Sequence, residues 1–392
     1  MKILVVLPRF PYPLEKGDKL RTYHQIVELS KRHEIYLFCV SHCSVADEDI
    51  KALEPYCRQI RVVRLNKLVC WTNIVRNWFA SKSLQMGYWN TKHSKRACRN
   101  FAREVQPDVV YNQMVRTMPL VARLPFPKVM DFQDALSMNT ERRMERSRGL
   151  WHYVLHYEFK MLRSSEYNAF SFFDGLTIIS ETDSEAIPHK KNGEIRIVLN
   201  GVDTDYFNAT HNPQPNNHSI CFCGNMAYAP NVDAARYLVK EVMPLVWEEC
   251  PEATVLIAGA DPKHPVKALA SDRVTVSGHL PDIRDAYASS QLFVAPMRIG
   301  SGLQNKLLEA MAMQRPCVTT SLANTPLGAV SGEHLLVGDD AASLAAHIVS
   351  LLNDADLRSR IASLGHSFVQ QNYSWSAAVQ PLEELLNAVV AK

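Results

Sequence analysis

The sequence has no apolar run approaching the roughly 18 to 20 residues that a membrane-spanning helix needs, so no spanning segment is expected. Its opening stretch, Met1-Lys2-Ile3-Leu4-Val5-Val6-Leu7-Pro8, is too short for a signal peptide and lacks a small-residue cleavage site. A cytoplasmic protein is expected. A disulfide framework is also missing, because the nine cysteines are odd in number and scattered, as suits a reducing compartment. Cys39 lies near Cys43 and Cys221 near Cys223, but neither pair has a second pair at zinc-site spacing. Net charge is only +3, too little to argue for a nucleic-acid partner. There is no G-x-S-x-G elbow, no Walker lysine loop and no G-x-G-x-x-G after the first strand, so hydrolase, P-loop and ordinary NAD chemistry lose support.

What the sequence does hold is length and alternation. Its 392 residues, 47% hydrophobic and 21% charged, suit two globular domains better than one core. Lys2 to Leu7 reads as a buried parallel strand, a helix follows from Leu20, and Ile35 to Val40 reads as the next strand. The alternation continues through Ile60 to Val63, Val109 to Tyr111, Lys128 to Met130 and Leu176 to Ile179, which predicts a doubly wound parallel sheet. Residues Asn208 to His218 are rich in Asn, Pro and His and read as an interdomain connection. The pattern then restarts, with strands at Ile220 to Cys223, Thr254 to Ala258, Val274 to Ser277 and Leu292 to Ala295. The expected division is 1–205, 206–372 and a terminal helix over 373–392, kinked or restarted at Pro381. Two such units imply a ligand cleft at the carboxyl ends of their strands.

Between Arg61 and Arg103 there are ten Lys and Arg residues and no acid, interleaved with Trp71, Trp78, Phe79, Tyr88 and Trp89. Such a mixture fits a peripheral contact with anionic membrane. It fits equally a solvated basic face whose aromatics pack into the core. In Arg142 to Arg163, arginines among Trp151, Tyr153 and Tyr157 suit an acidic lipid-linked acceptor, or a solvated face over a buried aromatic stripe.

The stretch carrying most chemistry is Ala295-Pro296-Met297-Arg298-Ile299-Gly300-Ser301-Gly302-Leu303-Gln304-Asn305-Lys306-Leu307-Leu308-Glu309. A strand ends, a glycine-rich turn follows and a helix begins, so Gly300, Gly302 and Leu303 bring backbone N–H groups and a positive helix end toward an anion such as pyrophosphate. Arg298 and Lys306 flank the turn as candidate phosphate ligands, Lys306 having also the plain reading of a solvated helix residue. Glu309 is placed for a ribose diol. Asp131 and Asp134 follow a strand and are candidates to accept or orient an acceptor hydroxyl; the plainer reading of Asp134, and of Ser137, is a helix cap.

Here the sequence resembles a known family. Lys306-Leu307-Leu308-Glu309-Ala310-Met311-Ala312, Arg315-Pro316-Cys317-Val318, Gly224-Asn225-Met226 with Pro230-Asn231-Val232-Asp233, and Gln304-Asn305-Lys306 look like the retaining group 1 (family 4) glycosyltransferases, near the exopolysaccharide and PEP-CTERM/exosortase sugar transferases. The resemblance implies the GT-B fold: two Rossmann-like doubly wound domains facing a cleft, with a terminal helix crossing back to the first. It implies metal-independent transfer from a UDP- or GDP-linked sugar to a saccharide, lipid-linked, acceptor, with no other cofactor. Glu309 then holds the ribose. The family's sugar-binding glutamate falls on Ser301, and its diphosphate arginine and lysine fall on Asn225 and Asn231, so Arg298 and Lys306 are expected to replace those cations. Gly278, His279 and Leu280 hold the base through backbone groups, Gly17 and Arg21 stand in the loop over the phosphates, and the family's sugar-orienting histidine falls on Gln113. Asp203-Thr204-Asp205 spells D-x-D, but it follows the "NGV" phrase of the family's domain boundary and is not assigned a metal. A non-hydrolysing nucleotide-sugar epimerase shares this architecture, and the departures at Ser301, Asn225, Asn231 and Gln113 leave room for a noncatalytic nucleotide-sugar binding protein.

Overall fold

The computed structural model describes residues 1–14, 17–145, 147–211, 218–300 and 302–392. The chain forms two compact units, Met1–Gly201 with Ala378–Lys392, and Val202–Ala377.

In the first unit, the strands β1 (Lys2–Leu7), β2 (Glu34–Ser41), β3 (Gln59–Arg64), β4 (Val109–Gln113), β5 (Lys128–Asp131), β6 (Gly175–Ile178) and β7 (Arg196–Ile197) form one sheet. The order is β3-β2-β1-β4-β5-β6-β7, and every pair is parallel. β1 is apolar throughout Ile3 to Leu7 because helices cover both faces of such a sheet; all five residues are buried. Local chemistry starts the helices of the basic stretch. Asn66 Oδ1 accepts from Leu68 N at 2.9 Å ahead of the helix Lys67–Phe79. Thr91 Oγ1 accepts from Ser94 N at 3.0 Å ahead of Lys92–Val105. The latter helix buries Ser94, Cys98, Phe101, Ala102 and Val105, one face at helical spacing.

The aromatics of this stretch divide. Trp89 is in the core, whereas Trp71, Trp78 and Phe79 are exposed, Phe79 by 84%. Trp151 and Tyr153 are exposed as well, so no buried aromatic stripe underlies the arginines of 142–163. Tyr157 instead stacks on Trp78, centroids 4.6 Å apart. The helix Trp375–Val390 runs through Pro381 without restarting. Its residues from Ala378 onward belong to the first unit, where Glu383 binds Arg32 at 2.5 Å and His33 at 2.8 Å.

In the second unit, β8 (His218–Cys223), β9 (Val255–Ala258), β10 (Val274–Gly278), β11 (Ser290–Ala295), β12 (Cys317–Thr319) and β13 (Leu336–Val337) make a parallel sheet in the order β10-β9-β8-β11-β12-β13. The Asn-rich connection does not hang free where it is described. Tyr206 OH donates to Asp282 at 3.2 Å under the Arg284 guanidinium, and His211 Nε2 lies 2.7 Å from Asp285; its aromatic residues dock it on this unit. Residues 212–217 lie outside the described residues.

Candidate functional site

In the second unit the strand order reverses between β8 and β11, so the loops leaving these strands open side by side at their carboxyl ends. A cavity of about 510 Å³ lies there. Its floor is backbone. A Cβ on Gly259 would sit 1.8 Å from the Gly224 carbonyl oxygen, and one on Gly224 would sit 2.7 Å from Asn231 Nδ2. Glycine at both positions lets the loops after β8 and β9 close up beneath the cavity.

The helix Asn305–Ala312 begins at the cavity wall, and its N-cap Gln304 makes no side-chain cap. Leu307 N donates to the Gln304 carbonyl at 2.9 Å, so the earlier N–H groups of Asn305 and Lys306 and the positive helix end are left to a ligand. Lys306 and Glu309 are three residues apart, share one helix face and both line the cavity. Lys306 Nζ donates to Asn231 Oδ1 at 2.5 Å and lies 4.9 Å from the Phe222 ring centroid. Burial pushes its pKa down to about 8, more strongly than Cys223 and Glu309 pull it up. Glu309 Oε2 accepts from Tyr287 OH at 2.6 Å, and burial raises the carboxyl's pKa. Among the described residues Lys306 is the one lysine or arginine lining the cavity. A partly desolvated ammonium beside a helix amino terminus is a place for a phosphate anion.

Of the residues expected to bind a donor, Gly224, Asn225, Asn231, His279, Leu280, Leu303, Lys306 and Glu309 line this cavity. Gly278, Gly300 and Gly302 do not line it; they sit in the adjoining turns with φ of 72°, 124° and 82°. Ser301 lies outside the described residues. Tyr287 and Gly259 also line it and went unread in the sequence: a glycine after β9 was a usable signal, whereas nothing local distinguishes Tyr287.

Two expected cations are placed otherwise. Arg298 is outside the cavity wall, bound to Asp233 at 2.9 Å and Glu241 at 3.3 Å, its guanidinium 4.0 Å from the Tyr237 centroid. Its charge is already met by two carboxylates. Arg21 is not on a loop but in the helix Gly17–Ser30, 0% exposed, and holds Asp131 through Nε at 2.7 Å and Nη2 at 3.3 Å. Asn200 Oδ1 takes a further bond from it at 3.0 Å.

Asp131 is therefore not open to an acceptor. It is fully buried and accepts also from Tyr111, Thr177 and the Gln133 N–H. Gln113 is likewise buried, donating to the Asp18 carbonyl at 3.2 Å. Gly17, by contrast, is exposed, with nothing within 4 Å of where a Cβ would be.

Asp134 is not a cap. The first-turn N–H of Ser137 donates to Glu166 at 2.9 Å and the Ala135 N–H to Asp183 at 3.1 Å. Asp134 Oδ2 accepts from Asn139 at 2.8 Å while Oδ1, buried, has no partner. Burial and the neighbouring Asp183 raise its pKa to about 6. The preceding Gln133 has φ of 66°, a strained conformation of the kind that clusters at functional sites. Asp203 Oδ1 accepts from the N–H groups of Asp205 and Tyr206, so the D-x-D stretch folds as a turn.

Residues 217–354 match the family model described as glycosyl transferases group 1. A curated relative, an uncharacterised 44.6 kDa protein in the cps region of Klebsiella pneumoniae, is 26% identical over 167 residues, which are 40% of this chain and 43% of the relative. The match thus spans less than half the relative's length. Among solved structures, a glycosyltransferase from Rickettsia africae ESF-5 is 15% identical with a TM-score of 0.64, covering 99% of this chain and 98% of that one. Anabaena HepE in complex with UDP-glucose is 16% identical with a TM-score of 0.61, covering 99% and 100%. Sucrose-phosphate synthase from Thermosynechococcus elongatus is 14% identical with a TM-score of 0.61, covering 100% of both chains. The chain has the GT-B fold, and within its second unit residues 217–354 match the group 1 glycosyl transferases.

Proposed function

We propose that this protein is a retaining glycosyltransferase that takes a sugar from a nucleoside diphosphate donor held in the second unit and passes it to a saccharide acceptor borne on a lipid. The observation that carries this reading is the pairing of Lys306 and Glu309 on one face of a helix whose amino terminus opens into the cavity. Lys306, the helix N–H groups and the Gly224 backbone take the diphosphate. Glu309, oriented by Tyr287, takes the ribose hydroxyls, and the segment Gly278 to Leu280 takes the base. HepE, with a similar fold, has been crystallised with UDP-glucose, which supports a uridine nucleotide first among candidates.

As the glycosidic bond to the diphosphate breaks, negative charge grows on the leaving oxygen. Lys306 and the helix end stabilise that charge more in the transition state than in the ground state. Asp134 is the carboxylate we assign to the acceptor hydroxyl, as the hydrogen-bond partner that orients it. A metal is not required by this scheme. Retention follows if the departing diphosphate itself takes the acceptor proton on the face it leaves.

The lipid-linked acceptor brings the enzyme to the inner face of the cytoplasmic membrane. The helix Lys67–Phe79 supports this, since Leu68, Trp71, Val75 and Phe79 are exposed within a stretch free of acid. No described helix is long and apolar enough to cross a membrane; the contact we propose is peripheral.

The test is incubation of UDP- and GDP-sugars with and without lipid extracts from the source cells, following release of nucleoside diphosphate and the anomeric proton of the product. Acceptor-dependent release with retained configuration supports the reading. Conversion of donor alone to an epimer would replace it.

A further inference from the structure

The first unit contains a second cavity, about 590 Å³, walled by the helices Lys67–Phe79, Lys92–Val105 and Leu150–Ala169 and the short helix Met118–Val121. Five cations line it: Arg76, Lys82, Lys95, Arg99 and Arg123. No carboxylate among the described residues does. Among the described residues none of the five has a carboxylate partner, whereas nearby Arg61 has Glu104 at 3.3 Å. Glu158, packed behind Ser83, is committed elsewhere, accepting from Ser83 Oγ at 2.6 Å and from the N–H groups of Leu84 and Gln85 at 2.7 and 3.2 Å.

The cations feel one another. Lys95 is partly buried, and its pKa is lowered first by desolvation and then by Lys82, Arg76 and Arg123. Arg76, Lys82, Arg99 and Arg123 are exposed around the mouth of the hollow and Lys95 is half-buried within it, so the repulsion, though screened by solvent at the rim, concentrates positive potential on the cavity. An anion relieves it. Arginine forks match phosphate oxygens in geometry, and lysines add point charge.

The remaining wall is apolar. Met86, Met118, Leu124 and Met161 line it, and methionines fit irregular apolar groups. The helix bearing Arg76 also carries the exposed Trp71, Val75 and Phe79, so an apolar surface continues outside. We infer that this cavity is a binding site for a phosphate or diphosphate group, and that its natural ligand carries that group on an apolar body. The inference stands apart from the donor site: it concerns other residues and holds whether or not sugar is transferred.

Titration calorimetry of the full chain with farnesyl diphosphate, inorganic pyrophosphate and farnesol tests it. The expected order is farnesyl diphosphate tightest, pyrophosphate at least about tenfold weaker, and farnesol without measurable binding. Equal affinity for the two diphosphates would keep the phosphate site and name free phosphate as its source. Lys95→Gln with Arg99→Gln should weaken binding about a hundredfold, as two charge-assisted contacts are lost, with an unchanged melting transition. Lys267→Gln with Arg360→Gln, which removes two exposed cations of the second unit, should change it less than about twofold. Repeating the titration at alkaline pH in buffers of different ionisation heat should show more proton uptake in the wild type than in the Lys95→Gln variant. No binding by any phosphate compound, or binding indifferent to Lys95 and Arg99, overturns the inference.

Discussion

Lys306 offers a sharp test because its ammonium is partly buried with its proton loosely held. With a free-state pKa of about 8, it is mostly charged at neutral pH and loses its charge as pH rises. A bound diphosphate, carrying negative charge within hydrogen-bond reach, pulls that pKa back toward the ordinary lysine range of about 10.4. Linkage then requires that donor affinity be flat below pH 8 and fall by about tenfold per unit between the free and bound pKa values. Across roughly two units this amounts to a loss of about a hundredfold. Lys306→Arg, which stays charged, should abolish the slope even if it weakens binding at pH 7; Lys306→Ala should abolish it too, binding about ten- to a hundredfold more weakly at pH 7 and converging on the wild type toward pH 9.5. Fluorescence or calorimetric titration with the preferred nucleotide from pH 6.5 to 9.5 reads all three. An equally steep slope in Lys306→Ala would place the titrating group elsewhere and refute the reasoning.

Arg298→Ala should leave nucleotide affinity within about twofold, because Asp233 and Glu241 already consume its charge; the same calorimetry decides it. Asp131→Asn should lower stability by about 3 to 5 kcal/mol by stranding the buried Arg21, seen as an earlier denaturant transition of the first unit. Asp134 titrates near 6, raised above its unfolded value, so it binds more protons folded than unfolded between about pH 4 and 6 and its ionisation costs stability as pH climbs through that window. Asp134→Asn should therefore raise the melting temperature at pH 7.5 while cutting turnover, and wild-type kcat/KM should fall below pH 6. Tyr287→Phe, which leaves Glu309 without its donor, should weaken nucleotide binding about three- to tenfold.

The parallel sheets were legible because buried strands such as Ile3 to Leu7 are continuous apolar runs, and a two-sided sheet makes that pattern. The shared wall of Lys306 and Glu309 in the second-unit cavity was legible for the same local reason: both sit on one helix after a glycine turn, so their shared face follows from spacing alone. The carboxylates that hold Arg298 and Arg21 were not legible, because what neutralises a cation is not local. Asp233 lies 65 residues from Arg298, and Asp131 lies 110 from Arg21. The basic cavity of the first unit was half visible. The acid-free basic stretch stood out, but Arg123 and the apolar wall at Met118 and Met161 reach it only through the packing of helices. Asp134 illustrates the middle case: its position after a strand suggested function or capping, and only the bonds of Ala135 and Ser137 to other carboxylates decide against the cap.

The account rests on a nucleoside diphosphate sugar bound in the second unit, and the most direct test is metal-free calorimetry of the wild type and Glu309→Ala with UDP-, GDP- and ADP-glucose. The expected result is binding selective for one base in the wild type, lost or weakened at least about tenfold in Glu309→Ala. Absence of binding by all three, or binding that Glu309→Ala leaves untouched, would contradict it.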